Sequence, residues 1–217
     1  MTTTIAASVN PFAGMHPVTA SPRELEAVHR ATETALREAP YYTERFGERS
    51  RLFGGSDGGW LVTLCGGDAD YVERQVLWLG RVLSARGVPR WLLQRYLLIL
   101  HDELAVSVPD AGPRCAALLH AASLLHDLQR RHMGEMDART LADAFELRAD
   151  AAWSARLPGM GRILVGAVAD EADGITGAVG SVTEWAADPA RFPARWVFAV
   201  HATVEEARGR VRRSFAG

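Results

Sequence analysis

Apolar residues recur every three or four positions along most of the chain, with charged residues between them, the pattern of helices that each bury one face. The stretch after Asp68 shows it best. At 100° per residue, Val72, Val76, Leu79, Val82 and Leu83 share one arc, Tyr71 and Trp78 flank it, and Glu73, Arg74 and Arg81 lie opposite. Asp68 caps this helix, Gly87 ends it, and Pro89 starts the next. From 89 to about 106 the residues are apolar nearly all round, which marks a central helix, broken by Pro109 and Gly112. Four more follow. One covers 113–132, with Leu118, Ala121, Leu125 and Leu128 inward. Another covers 137–157 and closes at Pro158-Gly159. A third covers 162–187, with Leu164, Val168, Ile175, Val179, Val182 and Ala186 on one line. The last runs from about 194 to 213.

Upstream, Ser21-Pro22-Arg23-Glu24 combines a cap, a first-turn proline and a capping-box glutamate, so a helix is predicted from there to about residue 39, where Pro40 stops it. Two further segments, 41–53 and 57–65, are read as ending at the pairs Gly54-Gly55 and Gly66-Gly67. Residues 1–20, rich in Thr, Ala, Ser and Pro, read as a flexible tail. The expectation is therefore all-α: a compact multi-helix bundle of eight or nine helices forming one domain over 21–217. If it divides into lobes, 133–136 is the expected break. Arg51-Leu52 and Arg90-Trp91 recur at one common offset as Arg156-Leu157 and Arg195-Trp196, a faint trace of duplication.

Composition narrows the chemistry. The 217 residues are 48% hydrophobic and 23% charged, an ordinary globular balance. A net charge of -2 gives no general pull toward nucleic acid or an anionic membrane, so neither is expected as a partner. All 24 basic residues are arginine, as in proteins encoded by GC-rich bacterial genomes. Without an ε-amine, Schiff-base chemistry, a lysine base and a phosphate-loop lysine are excluded. Cys65 and Cys115, on separate apolar stretches, read as buried free thiols and are too few for a Cys-rich zinc site. The start of the chain lacks the pattern of a secretory leader, and the most apolar stretch, 91–100, is too short to span a bilayer. A cytoplasmic location is the resulting expectation.

Several motifs carry candidate chemistry. Gly54-Gly55-Ser56-Asp57-Gly58 has the pattern of a hydrolase nucleophile elbow, but that turn needs a strand before it, and Ser56 or Asp57 as a helix cap accounts for the same residues. Glu26 and His29 have di-iron bundle spacing, in one copy only. His120, His126 and His132, six apart, point about 120° from one another and cannot share a metal. His126 flanks an apolar face, where it would be a partly buried histidine or a haem ligand. Glu103, Glu171 and His201 interrupt apolar faces. A buried charge costs several kcal/mol unless paired, so each needs a partner. An arginine would make it structural, whereas a shared polar cluster would make it a binding or catalytic pocket.

Arg86-Gly87-Val88-Pro89-Arg90-Trp91-Leu92-Leu93, leading into an apolar helix, resembles the turn between the F and G helices of sensor globins, which are bacterial signalling domains with or without haem. The resemblance implies a globin-like helical sensor. The position where that family keeps its proximal histidine is Leu83 here, so it implies a haem-less or remodelled member. The Gly-Val-Pro turn also resembles the helical module of cobalamin-dependent regulators. The functional expectation is a non-catalytic bacterial sensor, regulatory or adaptor module that binds a small ligand, a protein partner or a second copy of itself. Trp60, Trp153, Trp185 and Trp196, placed near helix ends, and the flattening glycines Gly174, Gly177 and Gly180 motivate the partner. The alternative is a haem- or metal-dependent enzyme or binding protein. It would use a helix-lined pocket around His201, Glu171 and Glu103, with haem at His126 or His101.

Overall fold

The computed structural model of the chain describes residues 2–109 and 111–214. Among them are twelve α-helices: α1 (Pro22–Glu38), α2 (Tyr41–Phe46), α3 (Arg49–Leu64), α4 (Ala69–Ala85), α5 (Arg90–Ser107), α6 (Ala111–Arg114), α7 (Ala116–His132), α8 (Glu135–Arg148), α9 (Ala151–Arg156), α10 (Met160–Ala172), α11 (Ala178–Ala186) and α12 (Ala194–Ser214). The protein is all-helical apart from one small hairpin. The helices exceed eight or nine because α6 is too short to show a period, and because 137–157 and 162–187 are each two helices. Gly174 and Gly177, at φ of 84° and 80°, turn the chain between α10 and α11 through a conformation that side chains with a Cβ rarely adopt.

The chain forms two compact units, Met1–Leu77 with Gln94–Ser123, and Trp78–Leu93 with Leu124–Gly217. The divisions fall within α4, α5 and α7, so residues 133–136 lie inside the second unit.

In the first unit α1 packs along α3, with Ala27, Val28, Ala31, Leu61, Val62, Leu97, Leu100 and Leu104 buried. Two readings of the sequence are corrected here. Residues 1–20 are not a structureless tail: β1 (Thr3–Ile5) pairs antiparallel with β2 (Pro17–Thr19), and β2 lies on α3. Ala6, Asn10, Val18 and Thr19 are fully buried, and Asn10 Nδ2 donates to Ser56 Oγ at 3.1 Å. Nor do Gly54-Gly55 end a helix, because α3 runs straight through them. Their neighbours explain why glycine is tolerated. A Cβ on Gly58 would collide with the Tyr96 hydroxyl and sit 2.8 Å from Val28 Cγ1, and one on Gly59 would sit 3.1 Å from Val18 Cβ. These glycines cost α3 helix propensity but allow close packing.

In the second unit α10 is buried on nearly every side from Met160 to Asp170 and is packed by α8, α11 and α12. Gly161 permits the crossing with α8, since its Cβ would stand 2.8 Å from Ala142 Cα. Trp196, expected at the surface, is instead fully buried in an aromatic cluster. Phe145 meets it edge-on at 5.0 Å, Phe192 stacks on it at 5.5 Å, and its indole N–H donates to the Ala186 carbonyl at 2.9 Å. Trp153 and Trp185 pack against Phe192 at 4.7 and 5.1 Å. Burying roughly 200 Å² for each large ring is worth about 5 kcal/mol, which accounts for these aromatics by internal packing.

Candidate functional site

Of the residues nominated from the sequence, Glu103 belongs to the first unit and His126, Glu171 and His201 to the second. His201 is exposed. Its expected burial rests on Val197 as the centre of the apolar arc. The buried residues of α12 are Trp196, Ala199, Val200, Thr203, Val204, Ala207 and Val211. Their arc centres near Ala207, and His201 lies about 120° away from it. Glu171 is engaged by Arg208 at 2.7 Å, and Glu103, in the other unit, by Arg30 at 2.7 Å. Both glutamates therefore have the arginine partner that makes them structural. His101 sits beside Asp102 at 3.3 Å. Ser56, the elbow candidate, is buried within α3 and donates to the Phe53 carbonyl at 3.2 Å. Glu26 pairs with Arg30 rather than His29. Among the described residues no group of three His, Cys, Asp or Glu side chains could hold a metal ion.

Sequence reasoning missed the most buried polar cluster of the second unit. Asp170, fully buried on α10, accepts from Ser84 Oγ at 2.6 Å, from the Arg90 backbone N–H at 2.8 Å and from Arg90 Nε at 2.7 Å. Arg90 Nη1 continues to Asp173 Oδ2 at 2.8 Å, and His132 Nε2 lies 3.0 Å from Asp173 Oδ1. Burial pushes the Asp173 carboxyl up, but the hydrogen bonds from His132 and Arg90 outweigh it and hold the group below its ordinary range. Desolvating an arginine and an aspartate is expensive, and the bonds to Asp170 and Asp173 offset much of it, although the buried Arg90 Nη2 has no hydrogen-bond partner. The available signal was Asp170 itself, a lone carboxylate in the apolar run Ile163-Leu-Val-Gly-Ala-Val-Ala-Asp170. Both Asp170 oxygens are occupied, so this carboxylate ties α4, α5 and α10 together within the second unit.

An open feature lies nearby in the same unit, where the C-terminal half of α7, the start of α8 and the middle of α10 meet. His126, Gln129, Met133, Glu135, Arg162 and Gly166 line this cleft, with Arg130 at its edge. Gln129 is 7% exposed, and its Nε2 has no hydrogen-bond partner. It continues the stripe Leu118, Ala121, Ala122 and Leu125 at i+4, a place that the sequence pattern assigns to the neighbouring Leu128. Gly166 leaves the amide clear, because a Cβ there would sit 3.5 Å from Gln129 Nε2. Arg162 Nη2 binds Glu135 Oε2 at 2.6 Å across the cleft. The enclosed space, about 10 Å³, holds roughly one water. In the first unit a groove of about 110 Å³ runs past Val28, His29, Thr32 and Glu33. Neither feature approaches the several hundred Å³ of a cofactor-sized pocket.

No family model, curated protein or solved structure matches the chain. No helix among the described residues is long and apolar enough to cross a membrane.

Proposed function

We propose that the protein is a non-catalytic binding module of the sensor or regulatory kind, and that the α7–α8–α10 cleft receives a small carboxylate or oxyanion. The observation that carries this reading is Gln129, an amide more than nine-tenths buried with its Nε2 unsatisfied at the cleft. Leaving such a donor unpaired costs about 1–3 kcal/mol, which a ligand accepting its hydrogen bond would recover. The surrounding groups favour an anion: His126, Arg130 and Arg162 line the cleft, against one carboxylate, Glu135. Because the free space holds only about one water, an entering carboxylate has to displace Glu135 from Arg162, which links occupancy to the contact between α8 and α10. The exposed position of His201 and the arginine partners of Glu171 and Glu103 weigh against the alternative, an enzyme or cofactor protein built on those three.

The test is titration of the purified protein with acetate and with inorganic phosphate, followed by amide NMR. Shifts centred on Gln129, Gly166 and Arg162, lost in a folded Gln129→Leu variant, support the reading. Absence of saturable shifts, with Gln129→Leu more stable than the parent, refutes it and makes Gln129 a packing residue.

A further inference from the structure

The two cysteines are fifty positions apart in sequence, on separate apolar stretches. The fold of the first unit brings them together. Cys65 is the residue at which α3 ends, and Cys115 immediately precedes α7. The backbone N–H of Gly66 donates to the carbonyl of Arg114 at 3.1 Å, tying the residue after one cysteine to the residue before the other. The Cys65 thiol donates to the Leu61 carbonyl at 3.8 Å, the two thiols interact electrostatically, and no disulfide joins them. A bridge needs Cα atoms roughly 4.4–6.8 Å apart, and the Gly66–Arg114 backbone bond holds the two cysteines next to each other across the junction of α3 and α7. Both sulfurs are covered, yet each is one residue from exposed or half-buried chain, Gly66 on one side and Arg114 on the other.

We propose that Cys65 and Cys115 form a redox-active dithiol that closes to an intrachain disulfide on exposure to a peroxide.

The two thiols have unequal roles. The neighbouring Cys65 side chain lowers the Cys115 thiol, and the Arg114 guanidinium lowers it further against the opposing effect of burial. Its place at the start of a 17-residue helix acts in the same direction. Cys65 is pushed up by the adjacent Cys115 and by burial. Cys115 is therefore the nucleophile and Cys65 the resolving thiol. The Cys115 thiolate attacks one oxygen of hydrogen peroxide, the O–O bond breaks, and hydroxide leaves and takes up a proton as water. The Cys65 sulfur then displaces hydroxide from the resulting sulfenic acid, its own proton leaving with that oxygen as a second water. Two thiols are oxidised, one peroxide is reduced, and α3 is joined covalently to the start of α7. Arg114 is held in place by Glu24, whose Oε1 accepts from it at 2.5 Å, so the same ion pair that anchors α1 sets the reactivity of Cys115.

The experiment treats the fully reduced protein with one equivalent of hydrogen peroxide, blocks remaining thiols with iodoacetamide, and maps peptides without reduction. The expected product is a single cross-linked peptide pair containing Cys65 and Cys115. It is two hydrogens lighter than the reduced pair, remains within one chain and is reversed by dithiothreitol. In Cys65→Ser the oxidation stops at Cys115 as a sulfenic acid trapped by dimedone, and in Cys115→Ser the remaining thiol stays reduced. Chain-to-chain dimers, independent oxidation of each cysteine to its sulfinic acid, or two thiols still fully alkylatable after excess peroxide would each overturn the proposal. If either serine variant fails to fold, the parent peptide map decides alone.

Discussion

Arg90 and Asp170 meet with Nε and Oδ1 2.7 Å apart and side-chain exposures of 2% and 0%, so this ion pair is effectively removed from water. Removing one partner strands the other charge. Arg90→Met is expected to destabilise the protein by about 3–5 kcal/mol, and Asp170→Leu by a comparable amount. The double variant should recover much of the loss, because no fully buried charge is left unpaired and Asp173, which also loses Arg90, keeps His132. Urea unfolding of the four proteins measures this. Additive losses in the double variant would show that the two residues do not act as a pair.

The glycines of α3 should respond to alanine with opposite signs. A Cβ on Gly55 would meet nothing within 4 Å, so Gly55→Ala should stabilise by roughly 0.5–1 kcal/mol through helix propensity. Gly58→Ala forces a methyl group into Tyr96 and Val28 and should cost about 1–3 kcal/mol despite the same propensity gain. Melting temperatures of the two variants are sufficient, and equal shifts in the same direction would contradict the packing described for this helix.

Asp173 gives the second unit an acid sensitivity of defined sign. Its folded pKa lies below the ordinary carboxylate value, burial being outweighed by the hydrogen bonds from His132 and Arg90. Such a group adds stability above its unfolded pKa, about 3.9, and that contribution is lost as pH falls through the folded value. Urea midpoints should therefore fall more steeply in the parent than in Asp173→Asn between about pH 5 and about pH 2. Parallel curves would remove Asp173 from the account.

His201→Ala should leave stability within about 0.5 kcal/mol of the parent, because the side chain is exposed on α12. It should also leave untouched any acetate or phosphate response of the Gln129 cleft. A loss of that response would return His201 to the site from which its exposure excludes it.

Helical period is the most legible property of the chain. It locates α1, α4, α5, α7 and α12 within a few residues, because each is bounded by proline, glycine or a capping residue. Glycine is the least legible signal. In α3 it relieves crowding between helices, after α10 it breaks a helix, and both read alike in sequence because the difference lies in a neighbour distant along the chain. The hairpin at residues 3–19 escapes notice because its strands are three residues each, too short to alternate visibly. The cleft is half legible. His126 stands out from its place beside the apolar face, whereas Gln129 is overshadowed by the apolar Leu128 next to it. His201 misleads through a choice of reference: 40° from Val197 looks inward, while the arc is centred elsewhere on α12.

The bond from the Arg90 backbone N–H to Asp170 has a consequence in time. The first turn of a helix leaves N–H groups without intrahelical partners, and most helices supply a cap from the residues just before them. Here Asp170, far downstream, accepts the Arg90 N–H. During synthesis from the N-terminus the start of α5 therefore emerges long before this acceptor exists. Only once α10 has been made can the first turn of α5, together with its buried guanidinium, settle.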